Sequence, residues 1–379
     1  MTLRERTSPQ KAPLGAGDLD ALVTTLQRRF TERVDTPWGE TDFEALALRV
    51  FEYQFRHNAT YQGFCRGRGA SPESVQSWRE IPAVPATAFK HLDLVAGSPH
   101  GVEAVFHTSG TTRDGGARGR HLVPRLSLYR ASLLPPFKAH LLPDRDRIRF
   151  VSLIPSPEEQ PRSSLSHMVG MAGEAFASEV HWGVDGSGAI LREALADAFR
   201  SANKSAEPVL LLGTAFAFVH ALDQNELGPL PAGSRIMETG GLKGRSRELP
   251  AAELRRALSA ATGAALDHIV SEYGMTELLS QLYTLVLSER DSGIELVPPP
   301  WLRVRALDPT TLEEVAEGSD GLLAFFDLAN AGSVSHVLTE DVGSVTRGRV
   351  RLAGRFDGAE PRGCSRAMDE FMTAAATPQ

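Results

Sequence analysis

Thr108, Ser109, Gly110, Thr111 and Thr112 follow one another directly behind a short apolar run at 102–106. Small hydroxyls around a glycine suit an anion, because the glycine lets backbone N–H groups converge and the hydroxyls add donors without bulk. Gly115, Gly116 and Gly119, interleaved with Arg113, Arg118 and Arg120, extend the stretch with positive charge. A polyphosphate is the natural guest, although an ordinary polar surface loop has a similar composition. The G-x-x-x-x-G-K-[ST] spacing of a Walker loop occurs nowhere in the chain. Two further stretches, ETGGLKGR at 238–245 and SEYGMTELLSQ at 271–281, again set glycines, hydroxyls and carboxylates behind apolar runs. Near the end of the chain Cys364 lies between Arg362 and Arg366. Flanking cations favour the thiolate, which is the nucleophilic form. Cys65 has Arg66 and Arg68 beside it, so charge alone does not choose between the two cysteines.

Strands and helices must hold these stretches in place. Helical spacing of Leu19, Leu22, Leu26 and Phe30 predicts a helix over 18–34, with Asp18 as its cap, and Phe43, Leu46, Val50, Phe51 and Phe55 predict a second over 42–57. The segment HNATYQGFCRGRG is expected to break that helix, and Pro82 and Pro85 to fix an extended crossing into the first loop. A helix over 127–140 is expected to bend or break at Pro135 and Pro136. Strands at 148–154, 208–212, 234–237 and 265–270 alternate with helices at 187–201, 215–222 and 250–262, which is the α/β signature. Polar loops stand directly behind several of these strands, PSPEEQPRSSLSHM among them, and open α/β sheets bind ligands outside such carboxyl ends. Beyond 293 short strands with turn signals predict a β-rich closing region.

Composition sets the bounds. A hydrophobic fraction of 42% and a charged fraction of 23% fit a globular protein with a sizeable core. A net charge of −7 argues against binding nucleic acid through a general basic surface. Two cysteines suit a reducing compartment, the first residues contain no apolar signal, and the most apolar run, 209–222, is too short to span a bilayer. These features predict a cytoplasmic protein with no membrane span and no nucleic-acid partner. Residues 1–17 are expected to form a disordered lead-in, 18–353 a core domain and 354–379 a short tail.

Taken in order, TSGTT, ETGGLKGR, EYGMTE and LTEDVG followed by AGRFDGAE resemble the adenylate-forming superfamily of acyl-CoA ligases, peptide-synthetase adenylation domains and luciferases. IPAVPATAFK, PSPEEQPRSSLSHM and RFDGAEPRGCS are similar, within it, to the acyl-protein synthetases, the fatty-acid ligase component of bacterial fatty acid reductases. The resemblance covers about His57 to Ser365. It implies the large N-terminal domain of that fold, an α/β domain of layered mixed sheets with a β-rich closing region, and a C-terminal domain absent or vestigial. It implies ATP and Mg²⁺, with the nucleotide held by Thr108–Thr112, Gly240, Gly241, Tyr273, Gly274, Thr276, Asp341 and Arg355. Tyr273 would lie on adenine, Thr276 bond the α-phosphate, Glu277 hold the metal, Asp341 bind the ribose and Arg355 contact the nucleotide near a hinge at Asp357. The residue types suit these roles, since an aromatic face stacks on a purine, a hydroxyl donates to an oxyanion, and a carboxylate is a hard ligand. The family loop continues with a glycine and a lysine, whereas here Arg113 takes the glycine place and no lysine follows, which leaves the phosphate charge to Arg118 or Arg120.

The implied reaction is activation of a carboxylic acid, a fatty acid being favoured, as its acyl-adenylate, followed by transfer to a thiol. Thr276 and Arg355 would act in the first step, and Cys364 would accept the acyl group for a partner reductase or a carrier protein. Ser164, His167, Ala215 and Phe216 are the expected lining of the acyl pocket, with His181 and Trp182 as further contacts. Two other functions remain open on the sequence: a ligase of the same fold for a small or aromatic acid that transfers to coenzyme A, a carrier protein or an amine, and a non-catalytic nucleotide-binding subunit.

Overall fold

A computed structural model of the chain describes residues 18–32, 34, 36–108, 118–240, 250–285, 287, 294–356 and 362–376. The lead-in expected at 1–17, the Ser109–Thr112 stretch, Arg113, Gly241 and Asp357 lie outside the described residues. Helix α1 (Asp18–Phe30) buries the predicted stripe of Leu19, Leu22, Leu26 and Phe30, and α2 (Glu40–His57) buries Phe43, Leu46, Val50, Phe51 and Phe55. The expected break after His57 is a restart. Asn58 ends α2, and its side-chain oxygen accepts the Tyr61 N–H at 3.0 Å, which caps α3 (Ala59–Gly67). Tyr61, Phe64 and Cys65 then give α3 its buried face. Strand β1 (Val84–Pro85) is the extended crossing predicted from the two prolines, and it pairs in parallel with a late strand.

The hairpin of β2 (Ala104–His107) and β3 (Arg120–Val123) frames the first chemical stretch. Helix α4 (Leu126–Leu141) runs through Pro135 and Pro136 without the break that the sequence left open. Leu133, Pro136 and Phe137 are all buried, so tertiary packing outweighs the local cost of missing N–H donors. After β4 (Ile148–Leu153) the polar loop is shorter than expected. Ser163 caps α5 (Ser164–Phe176), which returns into a second unpredicted element, β5 (Ala177–Trp182). The chain continues through α6 (Arg192–Ser205), β6 (Val209–Thr214), α7 (Ala215–Asp223), β7 (Arg235–Thr239), α8 (Ala251–Thr262) and β8 (Ile269–Tyr273). Then come β9 (Leu282–Thr284), β10 (Leu296–Val297), β11 (Leu302–Leu307), β12 (Asp320–Asp327), β13 (His336–Thr346), β14 (Arg349–Arg355) and a terminal helix, α9 (Arg362–Ala376).

The β-rich end is not a separate body. Strands β5-β4-β6-β7-β8 pair in parallel, and β9 and β10 continue the same sheet antiparallel into β14, β13, β12 and β11. Alternation along the strands divides the apolar side chains. Leu210, Leu212, Met237 and Val270 join α1–α5 in the main core, while Val209, Leu211, Ile236 and Ile269 face α6, α7 and α8. Among the described residues no helix is long and apolar enough to cross a membrane.

Candidate active site

The loop that carries the hydroxyls leaves β2 and returns on β3, and its neck is closed by backbone geometry. Thr108 N–H donates to the Gly119 carbonyl at 2.9 Å, and Gly119 N–H donates to Thr108 Oγ1 at 2.9 Å. The EYGMTE stretch meets this neck. Thr276 Oγ1 lies 3.5 Å from the His107 carbonyl oxygen, and His121 Nδ1 lies 2.7 Å from the Thr276 carbonyl oxygen. A carbonyl only accepts, so Nδ1 carries the hydrogen, and burial keeps the imidazole neutral by pushing it down to about 4. Asn330 grips the next residue, its Nδ2 donating to the Glu277 carbonyl at 2.7 Å. Asp327 fixes the backbone just beyond Glu277. It accepts from Leu279 N–H at 2.9 Å and Ser280 Oγ at 2.7 Å, and it caps the turn leading to Asn330 through Ala329 N–H at 2.9 Å. Burial pushes the Asp327 carboxyl up to about 6 against these bonds. His121, Asn330 and Asp327 were not visible as site residues, because none belongs to a motif and only long-range contacts bring them to the EYGMTE stretch.

Tyr273 ends β8 with its ring stacked on Phe325 at 5.5 Å. Its hydroxyl donates to Asp341 Oδ2 at 2.7 Å, and burial holds the phenol well above its usual range. Asp341 Oδ1 accepts from Arg355 Nε at 3.1 Å, across the β13–β14 ladder in which the two residues are direct partners. Thus Tyr273, Asp341 and Arg355, far apart in sequence, form one hydrogen-bonded row. Arg355 also reaches Glu340 at 3.4 Å. Gly240 follows β7 with φ +76°, a backbone state that favours glycine, and among the described residues no atom lies within 4 Å of where a side chain would begin. Gly274 has a different reason: a Cβ there would stand 2.6 Å from Glu272 Oε1. Glu277 is half-buried, and among the described residues no cluster of three or more His, Cys, Asp or Glu side chains could hold a metal by itself.

Below this rim Thr239, Glu272 and Tyr283 are direct neighbours on β7, β8 and β9. Thr239 Oγ1 donates to Glu272, whose fully enclosed carboxyl is pushed up to about 7 by burial. In the unfolded chain such a carboxyl ionises near its ordinary value of about 4.3. The folded state therefore binds the extra proton between about 4.3 and 7, and this group's contribution to stability falls as pH rises through that window. Glu272→Gln keeps the acceptor and removes the titration. The melting temperature of the variant relative to wild type is expected to be higher at pH 8 than at pH 5, which scanning calorimetry at the two pH values checks; a difference independent of pH counts against the buried-proton account.

The residues expected to line the acyl pocket are divided between two helices that pack on different cores. Ser164 and His167 stand at the start of α5 beside the loop hairpin, where Tyr129 donates to the Ser164 carbonyl at 3.0 Å and the His167 ring lies 5.1 Å from that of Phe106. Ala215 is buried with Phe218 in the core on the opposite face of the sheet, and Phe216 is exposed and stacks on His220. Periodicity marked both helices as following strands, but only the order of the sheet decides which face each one covers. His181 and Trp182 sit on β5 at the sheet edge, His181 paired with Glu179 at 3.1 Å.

The two cysteines are both buried. Burial pushes the Cys65 thiol up to about 12, which suits a packing role on α3. The tail expected from about 354 instead continues β14 to Arg355 and then forms α9, with Cys364 in its first turn. Helix α9 docks on α3 through Phe371 against Phe64 at 4.8 Å and Arg68 to Glu370 at 2.7 Å. Cys364 packs with Leu322, Ala324 and Leu338. Alternation on β12 puts Ala324 and Phe325 on opposite faces, so the docked thiol is across the sheet from Tyr273 and Asp341.

Known proteins resemble this chain in sequence and in fold. The long-chain-fatty-acid–luciferin-component ligase of Aliivibrio fischeri is 24% identical over 344 residues, covering 86% of this chain and 87% of that protein. The structure of 2-hydroxyisobutyryl-CoA ligase, in complex with its acyl-adenylate and CoA, superposes with a TM-score of 0.59 at 16% identity over 94% of this chain and 73% of that one. This likeness places the fold among the adenylate-forming enzymes. ATP-bound MatB from Rhodopseudomonas palustris matches over 76% of this chain at a TM-score of 0.49 and 16% identity, and the chain spans about half of that protein's length, 51%. The family of acyl-protein synthetases termed LuxE matches residues 38–373, nearly the whole chain, and this protein belongs to it.

Proposed function

We propose that the protein activates a long-chain fatty acid with ATP and passes the acyl group to its own Cys364. Family membership makes the chain an acyl-activating ligase. The geometric observation that carries the site assignment is Thr276, which His107 and His121 tie to the neck of the hydroxyl loop at one end of the Tyr273–Asp341–Arg355 row. In the first step a carboxylate oxygen attacks the α-phosphorus of ATP and the bond to the β-phosphate oxygen breaks, giving acyl-adenylate and pyrophosphate. Thr276 Oγ1 donates to the α-phosphate, and Asp341 accepts from the ribose hydroxyls while still bonded to Tyr273 and Arg355. Glu277 fits Mg²⁺, since this ion commonly takes one or two carboxylates and completes its shell with phosphates and water. Bound there, the ion offsets charge on the phosphates. In the second step the Cys364 thiolate attacks the acyl carbonyl, the bond to the phosphate oxygen breaks, and AMP leaves. A reductase or carrier protein then takes the acyl group from the thioester.

Pyrophosphate exchange with a panel of carboxylic acids tests the reading. Exchange is expected with long-chain fatty acids, together with hydroxylamine-sensitive acyl label on the intact protein. Exchange without label would move the acceptor to an external thiol or amine, and no exchange with any acid would leave a nucleotide-binding subunit.

A further inference from the structure

His121 and Asn330 hold two successive carbonyls of the EYGMTE stretch, and each has one polar atom left over. His121 Nδ1 donates to the Thr276 carbonyl at 2.7 Å and the ring is neutral, so Nε2 is a lone-pair acceptor. Asn330 Nδ2 donates to the Glu277 carbonyl at 2.7 Å and to the Val334 carbonyl at 3.3 Å. Carbonyls only accept, so the amide cannot be reversed, and its Oδ1 is the acceptor left over. Both residues are fully buried, and among the described residues neither His121 Nε2 nor Asn330 Oδ1 has a hydrogen-bond partner. The two side chains line one small cavity, walled also by Val23 of α1, Val123 of β3 and Leu128 of α4. Its volume is about 10 Å³, room for a single water.

The occupant of such a cavity must bring two donors. A buried acceptor stays costly until a hydrogen reaches it, and here there are two in one small space. A hard cation also seeks acceptors, but Mg²⁺ and Ca²⁺ take six or more ligands, and Arg125 on the cavity wall is itself positive. Water supplies two hydrogens, carries no charge and matches the volume.

We propose that one water sits in this cavity, donating to His121 Nε2 and to Asn330 Oδ1, and that His121, this water and Asn330 form one positioning unit for the Thr276–Glu277 backbone. The water fixes the ring and the amide at their far ends, so that their near ends hold the two carbonyls in register. The positioning rests on the reading of Thr276 and Glu277 as nucleotide residues; the water does not.

A crystal structure of the full chain, at a resolution that shows ordered solvent, is expected to place one water within about 3.2 Å of both atoms. Kinetics of acid-dependent pyrophosphate exchange test the positioning through three variants. His121→Phe keeps the ring and loses both contacts. His121→Asn sets an amide near the place of Nδ1, and His121→Gln sets one near the place of Nε2. A small misplacement of reacting groups costs rate rather than binding, so His121→Phe should lower kcat by about ten- to a hundredfold with little change in the KM of the fatty acid. His121→Asn, which can still donate to the Thr276 carbonyl, should recover part of the rate, and His121→Gln should recover none. A wild-type cavity without that water, or with the Asn330 amide reversed, would overturn the water and needs no variant to fold. Unchanged kcat in His121→Phe, or equal losses in all three variants, would overturn the positioning while wild-type exchange leaves the nucleotide reading standing. Wild type that exchanged with no acid would overturn that reading, and the positioning with it.

Discussion

Cys364→Ser protein, incubated with ATP, Mg²⁺ and a labelled long-chain fatty acid, is expected to keep acid-dependent pyrophosphate exchange and to carry no hydroxylamine-sensitive label. Adenylation uses the substrate carboxylate as nucleophile and needs no thiol, whereas the thioester cannot form without one. Cys65→Ser should keep both activities, since that thiol is buried on α3 and pushed up to about 12. The structure adds a condition. Docked α9 keeps Cys364 among Leu322, Ala324 and Leu338, across the sheet from the Tyr273–Asp341 row. The helix must therefore leave α3 before the sulfur meets the adenylate. A Cβ built on Gly63 lies 3.3 Å from the Ala374 Cβ, close to disulfide spacing. The double variant Gly63→Cys, Ala374→Cys, once oxidised, should exchange pyrophosphate and fail to acylate until reduced. Full label on Cys364→Ser would remove that residue as acceptor, and undiminished acylation of the locked protein would show that undocking is unnecessary.

Asp341→Ala should raise the KM for ATP by about ten- to a hundredfold, with a much smaller effect on the KM for the acid. The figure comes from losing a charged acceptor, which costs about 1.5–3 kcal/mol. Two neighbours lose their partner as well. The Tyr273 hydroxyl gives up a 2.7 Å bond in a buried place, and Arg355 gives up the bond that keeps its guanidinium against β13. Asp341→Asn separates these effects, because the amide oxygen still accepts from Tyr273 while the charge is gone. It should show an intermediate KM with Tyr273 held in place. Steady-state kinetics with each substrate varied in turn decides it, and ATP kinetics unchanged in Asp341→Ala would take the residue out of the nucleotide site.

The sequence alone determined the local facts. Short apolar runs placed β4, β6 and β7, whose residues are buried on both faces, and the 3.6 period placed α1, α2 and α8, because a helix with one buried face must repeat its apolar residues at that spacing. The motifs were also legible, since glycine at 240 and the order Tyr273–Gly274–Met275–Thr276–Glu277 are demands of backbone and chemistry that a residue carries wherever it stands. Elements built on small or hydroxyl residues escaped. Helix α5 opens on serines and α3 begins at an asparagine that reads as a stop, yet both are held by caps and by the elements they pack against. Tertiary structure alone decided three matters. Pairing of β9 and β10 joined the late strands to the parallel half, and this set Asp341 against Tyr273. The order of the sheet put α5 and α7 on opposite faces, so Ser164 and His167 part from Ala215 and Phe216. Long-range contacts brought His121 and Asp327 to the EYGMTE stretch, from places in the sequence with no motif of their own. Spacing along a chain reports what one element buries; which elements become neighbours depends on long-range pairing, which the spacing does not contain.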